Sequence, residues 1–386
     1  MNYKQWVFPN VDKQMVSAIA DDCGIDPLLV FIAVSRGLTD LYDIERFFDK
    51  EPDFCDPYEY SGISEAVDRI NIALESEEKI LVFGDYDCDG VTATALLTDY
   101  LKKRGADVSF FVPDRENDGY GISVLAVEKA ASDGVTLIIT VDNGINAIME
   151  AERANELGVD IIVTDHHLPQ AEFPDVVALI DPHIDGDYVF RELCGVSVAF
   201  KLVCALEGRP CEELIYEYGD LVALGTIADI VPLHSENRNI VNIGLQLINR
   251  RLRYGIRALL EVVGSKYATS QSVAFTLCPR INAAGRMASA DIAVKLLMSN
   301  NYDDALYYAG LLDNYNTNRQ AAEQKIFDEA CDLICQNKYN YDRVIVVDGK
   351  DWHIGVIGIA ASKLTEKFGK PTIVISAEGE RSIGSG

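Results

Sequence analysis

A mostly parallel α/β sheet, then a helical connector, then the start of a second α/β unit is the architecture this 386-residue sequence predicts. Three observations carry it. Between residues 79 and 181, short runs rich in Val and Ile alternate with helix-length segments, the rhythm of strands joined by crossover helices. From about 195 to 337 the pattern is almost wholly helical. At "RVIVVDG" strand character returns, with "HIGVIGIAASKLTEKFG" as a helix and "PTIVIS" as a strand after it.

In chain order, residues 1–60 carry mixed helical patterns and many acids, an N-terminal helical segment without a site signal. Residues 61–235 form the first α/β domain. There "KILVFGD" precedes a helix over 90–104, "DVSFFVP" one over 122–132 and "VTLIITVD" one over 145–157, and "VDIIVTD" and "VVALIDP" complete the strands. A sheet of this kind offers its ligands the carboxyl ends of its strands. Residues 236–340 are a helical region whose last stretch, "DDALYYAGLLDNYNTNRQAAEQKIFDEACDLICQN", has no Gly or Pro beyond Gly310 and predicts one long connecting helix. Residues 341–386 open the second α/β unit, which reads as cut short at Gly386.

Composition narrows the class. Apolar content of 48% and charge of 25% fit a globular chain. No run approaches the roughly 20 apolar residues of a membrane span, and "MNYKQWVFPN" lacks the features of a secretory signal, so a cytoplasmic protein without a membrane partner is expected. Nine cysteines without a CxxC pair give neither a disulfide framework nor a zinc-ribbon spacing, and they read as reduced and mostly buried. The net charge of −27 argues against a polyanionic partner. Yet from Arg238 to Arg286 eight basic residues (238, 250, 251, 253, 257, 266, 280 and 286) stand against a single acid, Glu261. A solvated helix face explains Arg250, Arg251, Arg253 and Arg257 as well as a phosphate track does.

The strand ends carry the chemistry. "LVFGDYDCDG" ends with Asp85, Asp87 and Asp89, "LIITVDNG" with Asp142, and "IIVTDHH" with Asp165, His166 and His167. Singly, such motifs are helix caps or turns; Asp89 ahead of Gly90 fits a cap. Three strands delivering acids and imidazoles to one edge would suffer mutual repulsion unless a cation lay between them. A pair of divalent ions resolves the conflict, and mixed carboxylate and imidazole donors suit manganese or magnesium. Asp229, in the apolar run "DLVALGTIADIVPL", needs a partner too, and the metal is the natural one. Arg280 and Arg286 flank "INAAG", where small residues admit a close ligand and two guanidiniums could grip phosphates; an ion pair is the plainer alternative. Asn282 lies between them and is grouped with them. The backbone near Gly355 offers an anion site at a helix start, where His353 either points at substrate or caps the helix.

The set "GDYDCDG", "VDNG", "TDHH" and "GTIADIVPL" resembles, in order, the four motifs of the DHH phosphoesterase superfamily. "PRINAAGRM", "LLDNYNTNRQAAE" and "DWHIGVIGIAASKL" are similar to those of one branch, the RecJ-type single-strand-specific 5′-to-3′ DNA exonucleases. The likeness implies metal ligands at Asp85, Asp87, Asp142, His166 and Asp229, with Asp142 bridging two Mn2+ or Mg2+ ions. It implies His167 beside the scissile phosphate, as ligand or charge stabiliser, and Asp89 and Asp165 as residues that orient the ligands. Arg115 would help form the pocket for the 5′ end and Ser385 would touch the terminal phosphate, the last unit being the start of a DHHA1 domain. Two departures stand out: Phe83 occupies a usual histidine position, and the arginine expected after Gly386 lies beyond the sequence. A fragment that binds metal but digests DNA weakly is the resulting expectation. The likeness also implies a single-stranded DNA partner with a 5′ end, and DNA-repair proteins as associates. Two other readings stay open: a phosphodiesterase for short oligonucleotides, cyclic dinucleotides or pAp, and a non-catalytic scaffold of a DNA complex.

Overall fold

The computed structural model describes every residue except 1–6, 8, 49–51, 116–118, 120, 187–188 and 379–380. Three short helices come first: α1 (Lys13–Cys23), α2 (Pro27–Ser35) and α3 (Leu41–Phe48). Aspartates 12 and 26 cap the first two, each accepting a backbone N–H at 2.8 Å, and Val16, Ile19, Val30 and Ile44 give the trio a small core of its own.

Helix α4 (Ile63–Glu75) leads into the sheet. Its strands and crossovers run β1 (Lys79–Phe83), α5 (Cys88–Lys103), β2 (Asp107–Phe111), α6 (Val124–Ser132), β3 (Leu137–Val141), α7 (Ile148–Leu157), β4 (Asp160–Thr164) and β5 (Ala178–Ile180). All five strands are parallel, in the order β2-β1-β3-β4-β5. All five residues of β3 are buried, as expected of a central strand covered on both faces. The strand order reverses direction between β1 and β3, and a crevice opens there at the carboxyl edge, where parallel sheets bind ligands.

The predicted helical region follows: α8 (Gly195–Glu207), α9 (Cys211–Ala228), α10 (Ser235–Arg250), α11 (Tyr254–Val262), the single turn α12 (Ser270–Ser272), a π-turn over Val273–Leu277, α13 (Cys278–Met287), α14 (Asp291–Leu297) and the 35-residue α15 (Tyr302–Gln336). One apolar core joins strand residues Ile80, Val82 and Ile139 to Leu202, Leu221, Leu259, Leu296 and Leu312 of these helices. Beyond α15, β6 (Ile345–Lys350), α16 (Ile354–Phe368), β7 (Thr372–Glu378) and β8 (Arg381–Ser385) form a three-stranded sheet, parallel between β6 and β7 and antiparallel between β7 and β8. It has its own core, in which Trp352, Val356 and Leu364 meet Ile326, Ala330 and Ile334 from the far half of α15. All nine cysteines are free thiols and six are buried.

Two features hold the helices in place. Lys201 on α8 pairs with Glu236 on α10 at 2.6 Å, with side chains only 2% and 0% exposed, and both also bond the backbone of Cys55. Helices α9 and α10 approach so closely that a Cβ on Gly244 would overlap the Gly219 carbonyl and the Ala223 methyl. Gly244→Ala is therefore expected to cost about 1–3 kcal/mol by overpacking, read as a lower urea midpoint, despite alanine's better helix propensity. A midpoint at or above the parent's would show that the helices can separate freely.

Candidate metal centre

The site is assembled at the strand ends on either side of the reversal. After β1 the chain turns through Gly84, which touches Thr94 too closely to admit a side chain. Asp87 caps α5, its Oδ1 accepting Asp89 N at 2.9 Å and Gly90 N at 3.1 Å. Of the two roles open to Asp89, helix cap and orienting residue, the cap falls to Asp87. Asp89 instead reaches across the crevice to the start of α8, where its two oxygens accept Gly195 N at 2.6 Å and Val196 N at 2.9 Å. After β3, Asp142 takes a left-handed backbone (φ 63°) that an aspartate tolerates, and it is 2% exposed. Its neighbour Asn143 ties the two strand ends together by donating to Val141 O at 2.9 Å and Phe83 O at 3.3 Å.

From the end of β4, His166 Nε2 lies 3.0 Å from Asp142 Oδ1 and 3.7 Å from Asp89 Oδ2, and its Nδ1 lies 3.8 Å from Asp229 Oδ2 at the C-cap of α9. Asp165 accepts from the Ile145 amide at 2.9 Å, from the His166 amide at 2.7 Å and from His167 Nδ1 at 2.7 Å. Burial raises the Asp165 carboxyl, but the His167 bond and charge together with the Ile145 and His166 amides outweigh it and the net shift is downward; the same His167 bond lifts His167 to about 9. Asp165 thereby fixes the His167 tautomer, so that Nε2 is the nitrogen presented to an ion or a phosphate.

The acids are held at an electrostatic cost. Burial, then Asp87, pushes Asp85 up to about 7; burial puts Asp89 at about 6. Burial, then Asp89, Asp87 and Asp85, raises Asp142 well above the carboxylate range, and burial raises Asp229. Asp85 Oδ1 and Asp142 Oδ1 are buried with no hydrogen-bond donor. Three sets of donors converge within 4.8 Å of one another: Asp85, Asp87 and Asp142; Asp142, His166 and His167; Asp89, His166 and Asp229. Asp142 belongs to two of them, as a shared ligand would. Undonated buried oxygens, carboxylate and imidazole chemistry and surplus negative charge all fit hard divalent ions.

This charge balance gives a pH signature. Because the folded pKa of Asp85 and Asp89 lies above the ordinary 3.8, the metal-free fold binds these protons more tightly than the unfolded chain does. Their burial therefore erodes metal-free stability as pH rises from about 4 to about 7, the window a cation would fill. Mn2+ at about 100 times its dissociation constant adds about 2.7 kcal/mol. Melting with Mn2+ and with EDTA should show a larger metal-induced rise at pH 7.5 than at pH 5; equal rises would contradict the account.

The structure brings only some of the expected substrate residues to this edge. Arg115 stacks 5.3 Å from the Tyr86 ring, and Arg286, whose guanidinium burial and Arg115 push down, donates to Gly355 O at 3.0 Å. Asn282 Oδ1 is buried without a donor. His353 caps α16, its Nδ1 accepting Gly355 N at 3.1 Å, and Ser385 packs over the same helix at Gly358. Arg280 is turned away to Asp313 on α15 at 2.8 Å and to the Thr276 carbonyl at 2.7 Å. The close approach at Gly285 seats α13 against the Tyr86 backbone and is packing within the protein.

Sequence reasoning missed four residues. Asp181, after β5, is fully buried, raised to about 7 by burial, and has one oxygen on His183 N at 2.8 Å and the other undonated. His183 in turn bonds the His166 backbone. "VVALIDPH" carried the same strand-end acid signal as the other three strands. Gly195 and Gly225 left no sequence signal: a Cβ on either would lie 2.5 Å from the Asp142 or Asp89 carboxylate.

Comparisons with known proteins fall on this frame. Residues 79–226 match the DHH family, N-terminal domain. The single-stranded-DNA-specific exonuclease RecJ of Bacillus subtilis is 42% identical over 387 residues, 99% of this chain and 48% of that protein; the Escherichia coli protein is 36% identical over 382 residues, 94% of this chain and 66% of that one. A crystal structure of exonuclease RecJ bound to manganese aligns with TM-score 0.75 and 36% identity over 82% of this chain and 80% of that one. The Mn2+ complex of Thermus thermophilus RecJ gives TM-score 0.82 and 32% identity over 96% and 53%. The chain belongs to the DHH family, on its RecJ-type exonuclease branch. It spans about half the length of the Bacillus relative.

Proposed function

We propose that this chain is the nuclease core of a metal-dependent exonuclease that hydrolyses single-stranded DNA from its 5′ end during repair and recombination in the cytoplasm, alongside other repair proteins. The convergence of three donor sets on Asp142 and His166 is the observation that supports it most. In this reading Asp85, Asp87, Asp142, His166 and Asp229 hold two Mn2+ or Mg2+ ions. Two such ions activate water and offset charge on the phosphate under attack. Asp89, braced by the start of α8, and Asp165, braced by four donors, keep the donor side chains aimed. His167 presents Nε2 to the scissile phosphate. Arg115, Arg286, Asn282, His353 and Ser385 face the 5′ end, and Arg280 positions α13 through Asp313. Residues 61–235 are the phosphoesterase unit, 236–340 the connector and 341–386 the opening of the DHHA1 unit, with 1–60 as an N-terminal helical segment.

No descriptor of the strand enters apart from its phosphates, which suits a nuclease that degrades any sequence. A digestion series with Mn2+, comparing 5′-phosphorylated single strands with dinucleotides, tests the reading; mononucleotide release from the 5′ end of strands is expected. Turnover confined to dinucleotides would transfer the chain to the short-oligonucleotide hydrolases. Arg286→Ala is expected to raise KM for strands about tenfold, the loss of one charge-assisted phosphate contact of about 1.5 kcal/mol, with kcat changed far less. A fall in kcat at constant KM would place Arg286 in the chemical step instead.

A further inference from the structure

Eight cations crowd into residues 238–286, and the fold accounts for most of them. Arg253 pairs with Asp220 at 2.9 Å, Arg280 with Asp313 at 2.8 Å, Arg251 donates to the Ser265 and Lys266 carbonyls, and Arg257 lies over the Tyr302 ring. Arg286 donates to the Gly355 carbonyl, while Arg250 and Lys266 are exposed. Arg238 is different. It is half-buried, its guanidinium carbon sits 3.8 Å from the Phe47 ring centre, and among the described residues no acid pairs with it.

The neighbour it does have is another cation. Burial, then Arg36 at the end of α2, pushes the Arg238 guanidinium below its ordinary value. Arg36 also has no acid partner among the described residues. Within a chain of net charge −27, two guanidiniums thus share one cavity with no ion-pair partner among the described residues, an arrangement that costs free energy unless an anion joins them. Both line a cavity of about 480 Å³ between the N-terminal helices and the start of α10. Of the two acids there, Asp53 is engaged by Arg46, leaving Asp43 alone against the pair. Phe47 and Phe190 supply aromatic walls. Paired guanidiniums beside aromatic rings are what a nucleotide's phosphate and base require.

A short stretch of chain ties the cavity to the metal centre. The loop leaving Asp229 contributes His234 and Ser235 to its wall, and Arg238 follows Asp229 by nine residues, a reach of at most about 30 Å. We propose that Arg36 and Arg238 form a second phosphate-binding site, which grips a backbone phosphate of the same single strand some nucleotides away from the metal centre. The inference rests on the single-strand reading above and adds a grip outside the hydrolytic cleft, so that long strands bind more tightly than short ones.

The test uses the full chain with Mn2+ and nuclease-resistant phosphorothioate oligothymidylates of increasing length, read by fluorescence anisotropy across a salt series. For the wild type, affinity should step up once the strand is long enough to reach the cavity. In Arg36→Ala/Arg238→Ala that step should be lost, with long-strand affinity falling about tenfold and the slope of log affinity against log salt flattening by about 0.7 per lost phosphate contact. Dinucleotide hydrolysis should be unchanged. Arg36→Ala alone, at an exposed position, keeps the test valid should Arg238→Ala disturb the packing on Phe47. A folded double variant with the parental length step and salt slope would overturn the proposal. So would protection of the wild type, but not of the variant, against thermal unfolding by inorganic phosphate with strand affinity unaltered, which would assign the site to free phosphate. A wild type that binds strands but hydrolyses none defeats the nuclease reading and leaves this one standing.

Discussion

Asp142→Asn is expected to lower strand hydrolysis at least about a thousandfold, equivalent to about 4 kcal/mol of transition-state stabilisation. The side chain belongs to two of the three converging donor sets, so its neutralisation weakens both cation positions at once. Asparagine is the informative replacement. It accepts the left-handed backbone that Asp142 adopts, and it matches the volume that Gly195 leaves open, so the fold should survive. The metal-free variant should even melt higher than the parent, because a buried carboxylate repelled by Asp89, Asp87 and Asp85 has been removed. Calorimetric Mn2+ titration and a 5′-end digestion assay decide the matter. Activity within tenfold of the parent, in a protein with weakened Mn2+ binding, would mean that hydrolysis happens elsewhere.

The second large effect is on stability. Lys201→Met leaves Glu236, fully buried, with its charge unpaired at the junction of α8, α10 and the Cys55 backbone. Breaking such a pair from one side costs about 3–5 kcal/mol, against a total stability of about 5–15 kcal/mol, so the variant should be largely unfolded at 37 °C. Replacing both partners, as Lys201→Met/Glu236→Leu, should recover much of the loss, since apolar packing can substitute for a buried ion pair. Urea denaturation of the single and double variants measures this coupling directly. A single-variant cost below about 1 kcal/mol would show that the buried pair carries little of the stability.

Much of the centre was legible in the sequence because its donors repeat one local rule: an apolar strand followed at once by acid or imidazole. Asp85, Asp87, Asp142 and His166 obey it. Asp181 obeys it too, but the long segment between β4 and β5 set it apart from the others. What stayed hidden depends on contacts between distant segments. Spacing alone lets Asp89 be a local cap, whereas its partners are amides more than a hundred residues away. Arg280 and Arg286 looked like a matched pair, yet six residues on a helix of about 3.6 per turn leave them about 120° apart, one facing α15 and the other α16. Gly195 and Gly225 act only through what lies opposite them, which no spacing in the chain records.

Helix α15 spans 35 residues, a rod of about 52 Å. Asp313 clamps it to α13 near one end, and its other half carries the core of the second sheet. Geometry makes such a rod a lever. A pivot of about 5° at the clamp swings its far end by about 3 Å, roughly the difference between a firm hydrogen bond and none. Such a pivot about the Arg280–Asp313 clasp would shift Ser385 relative to Arg286, and the bond from Arg286 to the Gly355 carbonyl is the contact that resists it.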